Sequence, residues 1–146
     1  MNMSSRRKLR ELALQLLFQE DLVHYSPEEI LDNCFKDLKG SPQSYEFAEF
    51  LFRKSLENRN EIDNLIRRHA QNWRLERMSV VDRNVLRVAV SEFLYTETPR
   101  PVVIDEAIEI ARRYNAEDSG EFVNGILDAI RKELELRIAK QVENEK

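Results

Sequence analysis

SVVDRNVLRVAVSEFLY, residues 79–95, carries the broadest apolar pattern in the chain. Ser79, with Asp82 three positions later, has the form of a helix start. Val81, Val85, Leu86, Val88, Ala89, Phe93 and Leu94 then recur at helical spacing. They cover so wide an arc that this helix must be enclosed by others and should be the most buried element of the fold.

Upstream, Ser26-Pro27 with Glu29 spells a helix N-terminus, a cap followed by a proline in the first turn. Ile30, Leu31, Cys34, Phe35 and Leu38 follow on one face, and Gly40 is the expected stop. Ser41-Pro42 starts a third helix that buries Tyr45, Ala48, Leu51, Phe52 and Leu56, with a break at Asn58 or Asn60. Ile62, Leu65, Ile66 and His69 form a fourth stripe leading to Trp73. The pattern lapses around Arg74–Met78. Downstream, Thr98-Pro99-Arg100-Pro101 is a rigid connector, and Ile104, Ala107, Ile108 and Ala111 define a sixth helix, ended by Asn115 in a left-handed cap. Ser119 caps a last helix with Phe122, Val123, Ile126, Leu127, Ile130 and Leu134 inward. Val102-Val103-Ile104 is β-like but only three residues long within helical pattern. The expectation is all-α: about seven helices in two packed subdomains, 1–77 and 78–136, with a fraying polar tail at 137–146.

Composition narrows the function. The 146 residues include 23 Lys+Arg against 27 Asp+Glu, a formal charge of −4. Three Gly and four Pro are too few for a β-sandwich or a Gly-rich phosphate loop. No apolar run approaches the roughly 18 residues of a membrane span, and the basic opening MNMSSRRKLR lacks an apolar signal region. The one cysteine, Cys34, cannot form an internal disulfide, so a reducing, cytoplasmic setting is expected.

Charge is uneven. Arg6, Arg7, Lys8 and Arg10 make the first ten residues +4, leaving 19 basic against 27 acidic side chains in the rest. Such a chain repels phosphate generally, so a local basic patch would hold a polyanion weakly and with strong salt dependence.

The first helix, capped at Ser4 or Ser5 and running to about Val23, has two stripes. Leu9, Leu12, Ala13 and Leu16 form a core stripe. Arg7, Arg10, Leu14 and Phe18 line up roughly opposite, over about 16 Å. Either the helix is buried on both sides, or the second stripe is a contact face where arginines meet phosphate and the aromatic meets a base or a protein.

Chemistry for catalysis is missing. His24, His69 and Cys34 have no metal-ligand spacing. His69 reads as a hydrogen-bonded core histidine, Glu106 and Glu109 as a solvated helix face, and Glu117-Asp118 as compensation for a helix dipole. No nucleophile has an activating base. The reading is a binding protein rather than an enzyme, with no cofactor and no metal.

Four stretches carry a resemblance. They are Arg6-Arg7-Lys8-Leu9-Arg10-Glu11 with Ala13, Gln15 and Leu17; then Trp73, Arg77, Val81-Asp82-Arg83, Leu86-Arg87 and Glu92; then Pro101-Val102-Val103-Ile104-Asp105-Glu106-Ala107; and Phe122-Val123-Asn124-Gly125-Ile126-Leu127-Asp128. In this order and spacing, over residues 4–135, they resemble the NusB family of transcription antitermination factors. The resemblance implies seven helices in two subdomains and no catalysis. It implies binding of boxA, a single-stranded element in ribosomal RNA leaders, together with NusE, a small-subunit ribosomal protein, within an RNA polymerase antitermination complex.

Carried over by residue, Arg6, Arg7, Lys8 and Arg10 become the RNA-facing patch. Phe122 would stack a base and Asn124 hydrogen-bond one, although Phe122 could equally be core and Gly125 a point of close helix approach. Phe18, with Leu14 one turn before it, becomes the NusE-facing surface; many relatives carry Tyr at Phe18, a hydroxyl this chain lacks. Lys8 and Leu9 depart from an all-Arg, small-residue pattern without loss of charge. Asp82, Arg83 and Arg87 read as internal ion pairs between the subdomains. Two further readings stand beside this one. Similar helical domains occur fused to ribosomal RNA cytosine methyltransferases, for which this sequence has no cofactor-binding domain. A homodimer could also hide the basic face.

Overall fold

The computed structural model describes residues 3–23, 25–38, 40–70 and 74–145. His24 and Trp73 lie outside the described residues, as do the side chains of Ser4 and Ser5. Among the described residues the chain forms seven α-helices and no strand: α1 (Met3–Leu22), α2 (Pro27–Lys36), α3 (Glu46–Glu57), α4 (Arg59–His69), α5 (Val80–Tyr95), α6 (Arg100–Tyr114) and α7 (Ser119–Asn144). Short 3-10 turns at Pro42–Tyr45 and Leu75–Arg77 precede α3 and α5. No helix among the described residues is long and apolar enough to cross a membrane.

Local signals set most boundaries. The Ser26 hydroxyl accepts from the Glu29 amide at 3.2 Å, with Pro27 in the first position of α2. Ser79 accepts from the Asp82 amide at 3.1 Å and starts α5. Asn58 alone ends α3 and begins α4, at φ −117° and ψ 27°.

Other boundaries differ from the expectation. Helix α2 stops at Lys36, and Gly40 turns the chain only afterwards, at φ +108°. Asn115 is not left-handed (φ −128°); its amide donates to Ser79 Oγ at 2.9 Å and Asp82 Oδ1 at 3.1 Å, lacing the end of α6 to the start of α5. Asp118, not Ser119, holds the cap position of α7, and the Ser119 hydroxyl donates to Asp82 instead. The tail is helical instead of frayed: α7 continues to Asn144, with the i,i+4 pair Arg137–Glu133 where the tail begins and strong helix formers beyond it.

Helix α5 is enclosed, as its pattern required, with even Asp82, Asn84, Arg87, Ser91 and Glu92 buried. It lies between two apolar clusters. The smaller joins Ala13, Leu16 and Leu17 of α1 to Ile30, Leu31, Leu51, Phe52 and Val88. The larger joins Leu14 to α4, α5, α6 and α7. The expected division after residue 77 therefore follows the chain but not the packing. Helix α4 sends Ile62, Leu65 and Ile66 into the larger cluster, and α1 and α5 contribute to both.

Polar groups in α5 reach both ways. Arg87 forks onto both oxygens of Asp63 in α4 at 2.9 Å, and Asn84 donates to Asp21 of α1 at 2.8 Å. Arg83 lies 3.7 Å from Asp21. The ion pairs expected at Arg83 and Arg87 are thus present, whereas Asp82 works through hydrogen bonds to Asn115 and Ser119. The close helix approach is at Gly120, where a Cβ would lie 3.1 Å from Ile108 Cγ2 and 2.6 Å from Arg112 Nε; at Gly125 a Cβ would meet nothing within 4 Å.

Helix α7 is tied to α4 by Glu133. Its carboxylate accepts from Arg68 at 2.6 and 3.1 Å, pairs with His69 Nε2 at 2.8 Å, and faces Arg137. His69 is half-buried and hydrogen-bonded, as its place on the stripe implied. Burial pushes the Glu133 pKa up, but the hydrogen bonds from Arg68 and His69 and the charges of Arg137 and Arg68 together outweigh it and hold it below the ordinary carboxylate value of 4.5. A lowered folded pKa contributes stability that is present above the unfolded value and lost as pH falls through the folded one. The stability advantage of the unsubstituted protein over Glu133→Gln is therefore expected to be full above about pH 4.5 and to shrink at lower pH. Urea unfolding midpoints of both proteins across an acid series measure this.

Candidate nucleic-acid interface

The first turns of α1 present the basic residues, and the helix's packing decides which face solvent. Lys8 is exposed. Arg6 is half-buried, its guanidinium 4.5 Å above the Phe47 ring. Arg7 keeps 40% of its side chain exposed while forking onto Glu106 of α6. The hydrogen bond to Glu106 raises the Arg7 pKa against an opposing effect of burial, so this cation stays charged throughout the working pH range.

Arg10 is different. It is 2% exposed, and its Nε and Nη2 donate to the two oxygens of fully buried Glu92 at 2.7 and 2.6 Å. Its expected role as an RNA-facing cation is corrected: it is an internal ion pair between α1 and α5. The cause is that the middle of the second stripe of α1, Arg10 and Leu14, lies against α5 and α6, while Arg7 and Phe18 at its two ends keep solvent access. Leu14 is corrected for the same reason, since it belongs to the larger core cluster at 7% exposure. Glu106, expected on a solvated face, is buried against Arg7, whereas Glu109 is exposed.

Helix α6 adds cations that the sequence reading passed over. Arg112 and Arg113, in its last turn, share a shallow depression with Arg7, Glu11, Glu109 and Glu117. Arg113 donates to Glu11 at 2.9 Å yet keeps 66% of its side chain exposed. The signal was available as a paired arginine at a helix C-terminus.

Phe122 is half-buried, packed against the larger cluster and bordering a depression with Arg77, Ser79, Asp82 and Asp118. Asn124 is exposed. The two are about 200° apart around α7, so they face different directions. Bare helix backbone at Gly125 adjoins Asn124. Phe122 lies beside the start of α5, and Arg6 borders a groove beside its end, about 24 Å away along that helix. The structure does not bring them together. The α6 arginines lie between them: Arg112 reaches the first turn of α7 at Gly120.

Phe18 is 40% exposed, at the mouth of a depression of about 330 Å³ with Gln15, Gln19, Val81 and Tyr114. Leu22, one turn further along α1, is also exposed. The outward apolar pair on α1 is thus Phe18 with Leu22, an i,i+4 spacing legible in the sequence. Tyr114, also exposed, donates its hydroxyl to Glu11 at 3.1 Å. Among the described residues no cluster of His, Cys, Asp and Glu could hold a metal ion.

Arg10→Ala strands a buried carboxylate and is expected to destabilise the fold by roughly 3–5 kcal/mol. Lys8→Ala, on the open side of the same helix, should stay within about 0.5 kcal/mol. Thermal and urea melts of the two variants separate the structural arginine from the surface lysine.

The NusB family model, described as "NusB family", matches residues 7–132. The transcription antitermination protein NusB of Koribacter versatilis is 45% identical over 141 residues, covering 94% of this chain and 95% of its own. That of Solibacter usitatus is 46% identical over 136 residues, covering 90% and 92%. Among solved structures, T. maritima NusB superposes with a TM-score of 0.79 at 45% identity, covering 88% of this chain and 91% of its own. A structure of antitermination factors NusB and NusE in complex with dsRNA gives 0.77 at 32% identity, covering 90% and 98%.

Proposed function

This chain belongs to the NusB family, and on that premise we propose that it is a transcription antitermination factor that binds boxA RNA of ribosomal RNA transcripts together with NusE, within an RNA polymerase antitermination complex. The observation that carries the reading is the exposed cationic turn of α1 on an otherwise acidic chain of this family. A relative solved with NusE and dsRNA supports the pairing of protein and RNA partners.

The RNA face consists of Arg6, Arg7 and Lys8, extended along α6 by Arg112 and Arg113 to the first turns of α7, where Asn124 and Phe122 meet RNA from two different sides. Arg10 serves this face only by holding α1 in place. The NusE face is Phe18 with Leu22 and Tyr114, and Leu14 supports it from beneath. Residues 1–77 supply the α1 cations and Phe18 and Leu22 of the NusE face; residues 78–136 supply Arg112, Arg113, Tyr114 and the Phe122 end. The protein acts by binding, without catalysis, in the cytoplasm where transcripts are made. Five cations, of which Lys8, Arg112 and Arg113 are exposed and Arg6 and Arg7 half-buried, hold RNA loosely on a body of net negative charge, and a second protein on the same RNA adds contact surface and raises local concentration.

Arg7→Gln with Lys8→Ala, which keeps a hydrogen-bond donor beside Glu106, is expected to weaken boxA binding roughly tenfold or more at low salt. It should also flatten the dependence of log affinity on log salt by up to about two phosphate contacts. Fluorescence anisotropy with boxA and a scrambled RNA measures both. Unchanged affinity and slope would remove the patch, and equal binding of both RNAs would remove boxA.

Phe18→Asp puts a charge into the NusE face without entering the core. It should reduce NusE affinity by about thirtyfold, the scale of a hot-spot residue, and leave binding of RNA by the protein alone unchanged. Calorimetric titration with NusE tests it, and undiminished affinity would relocate that face.

A further inference from the structure

We propose that the groove between the start of α1, helix α3 and the α5–α6 connection is a second RNA subsite, taking single-stranded nucleotides that continue off the α1 cations. The proposal rests on the RNA-binding reading above and adds a site to it. The groove is open and holds about 970 Å³, at the top of the roughly 300–1,000 Å³ range of ligand pockets. Arg6, Arg10, Phe47, Phe50, Tyr95 and Glu97 form most of its wall. Phe47 packs half-buried against the smaller apolar cluster with one side toward the groove, and Phe50 is 36% exposed.

Each ring in this wall has a cation beside it. The Arg6 and Arg10 guanidinium carbons lie 4.5 and 5.5 Å from the Phe47 centroid. Lys54 Nζ lies 5.8 Å from the Phe50 centroid and 5.4 Å from that of Tyr95. Rings for bases with cations beside them for phosphates are what sequence-tolerant single-strand binding uses, and an arginine plane can also stack a base. A second observation concerns Arg10. Its Nε and Nη2 are taken by Glu92, but its buried Nη1 has no hydrogen-bond partner. That nitrogen is closed off from solvent, so Arg10 serves the groove by fixing the Phe47 ring beside its guanidinium and not as a donor to RNA. Glu97 is the one acid in the wall outside the Arg10–Glu92 pair. Lys54 is shared with Glu57 at 3.5 Å, whereas Arg6 has no acid against it in the wall but Glu97; an apolar or proline-rich peptide would use the rings but leave Arg6 unmatched, so the lining favours RNA over protein.

Phe50→Trp and Phe50→Ala test the site. The probes are a boxA RNA alone and the same RNA extended at both ends by oligouridine. Circular dichroism confirms folding, and Trp keeps an aromatic ring if Ala does not fold. The unsubstituted protein, whose single tryptophan is Trp73, is the fluorescence control. The extended RNA is expected to quench the Phe50→Trp emission beyond the control and to bind Phe50→Ala roughly fivefold to hundredfold more weakly. Extended RNA that binds both variants at full affinity without added quenching overturns the subsite and leaves the α1 patch standing, because that patch is judged by Arg7→Gln with Lys8→Ala. Quenching by NusE alone and not by RNA assigns the groove to a protein and overturns the proposal. If neither RNA binds the unsubstituted protein, the subsite and the RNA reading fall together.

Discussion

A fully buried carboxylate, Glu92, sits in the middle of this fold, and Arg10 is the group that compensates it. Removing both charges from water has a desolvation penalty of several kcal/mol per ion, offset only when the geometry is good. Here it is bidentate, between helices 82 residues apart in the chain. A second set of contacts, from Asp21 to Asn84 and Arg83, joins the same two helices about 16 Å further along α1. Two anchors at that separation, running antiparallel, fix α1 against α5 in both rotation and translation. Arg87 with Asp63 extends the same lock to α4.

The surface follows from the lock. Turning Arg10 inward places Lys8, about 200° away around the helix, outward. It also reduces the outward charge of the basic turn, and the remaining Arg7 is already shared with Glu106. The cationic face is therefore smaller than the composition of the first ten residues implies. Its reach comes from α6, where Arg112 and Arg113 keep solvent access despite neighbouring acids.

What the sequence reveals is mostly local. The burial of α5, the serine caps at Ser26 and Ser79, and the break at Asn58 rest on spacings within a few residues, and each is found in place. What it conceals is pairing at a distance. Periodicity identifies two stripes on α1 but carries no information on whether the second meets water or another helix. In sequence, Arg10 and Leu14 therefore read as part of a contact face, where in the fold Glu92 and α5 cover them. Glu106 reads as solvated for the same reason, its partner being 99 residues upstream. The glycines show the limit again: Gly125 and Gly120 are alike in sequence, and only the neighbours of α7 distinguish an open backbone from a tight crossing.

The junction at Asn58 has a mechanical meaning. One residue joins a helix rooted in the smaller cluster to a helix rooted in the larger one. Such a joint has no slack, and α1 and α5 straddle both clusters. Opening either cluster would tear cover from the other, so the two apolar layers melt as a single cooperative body.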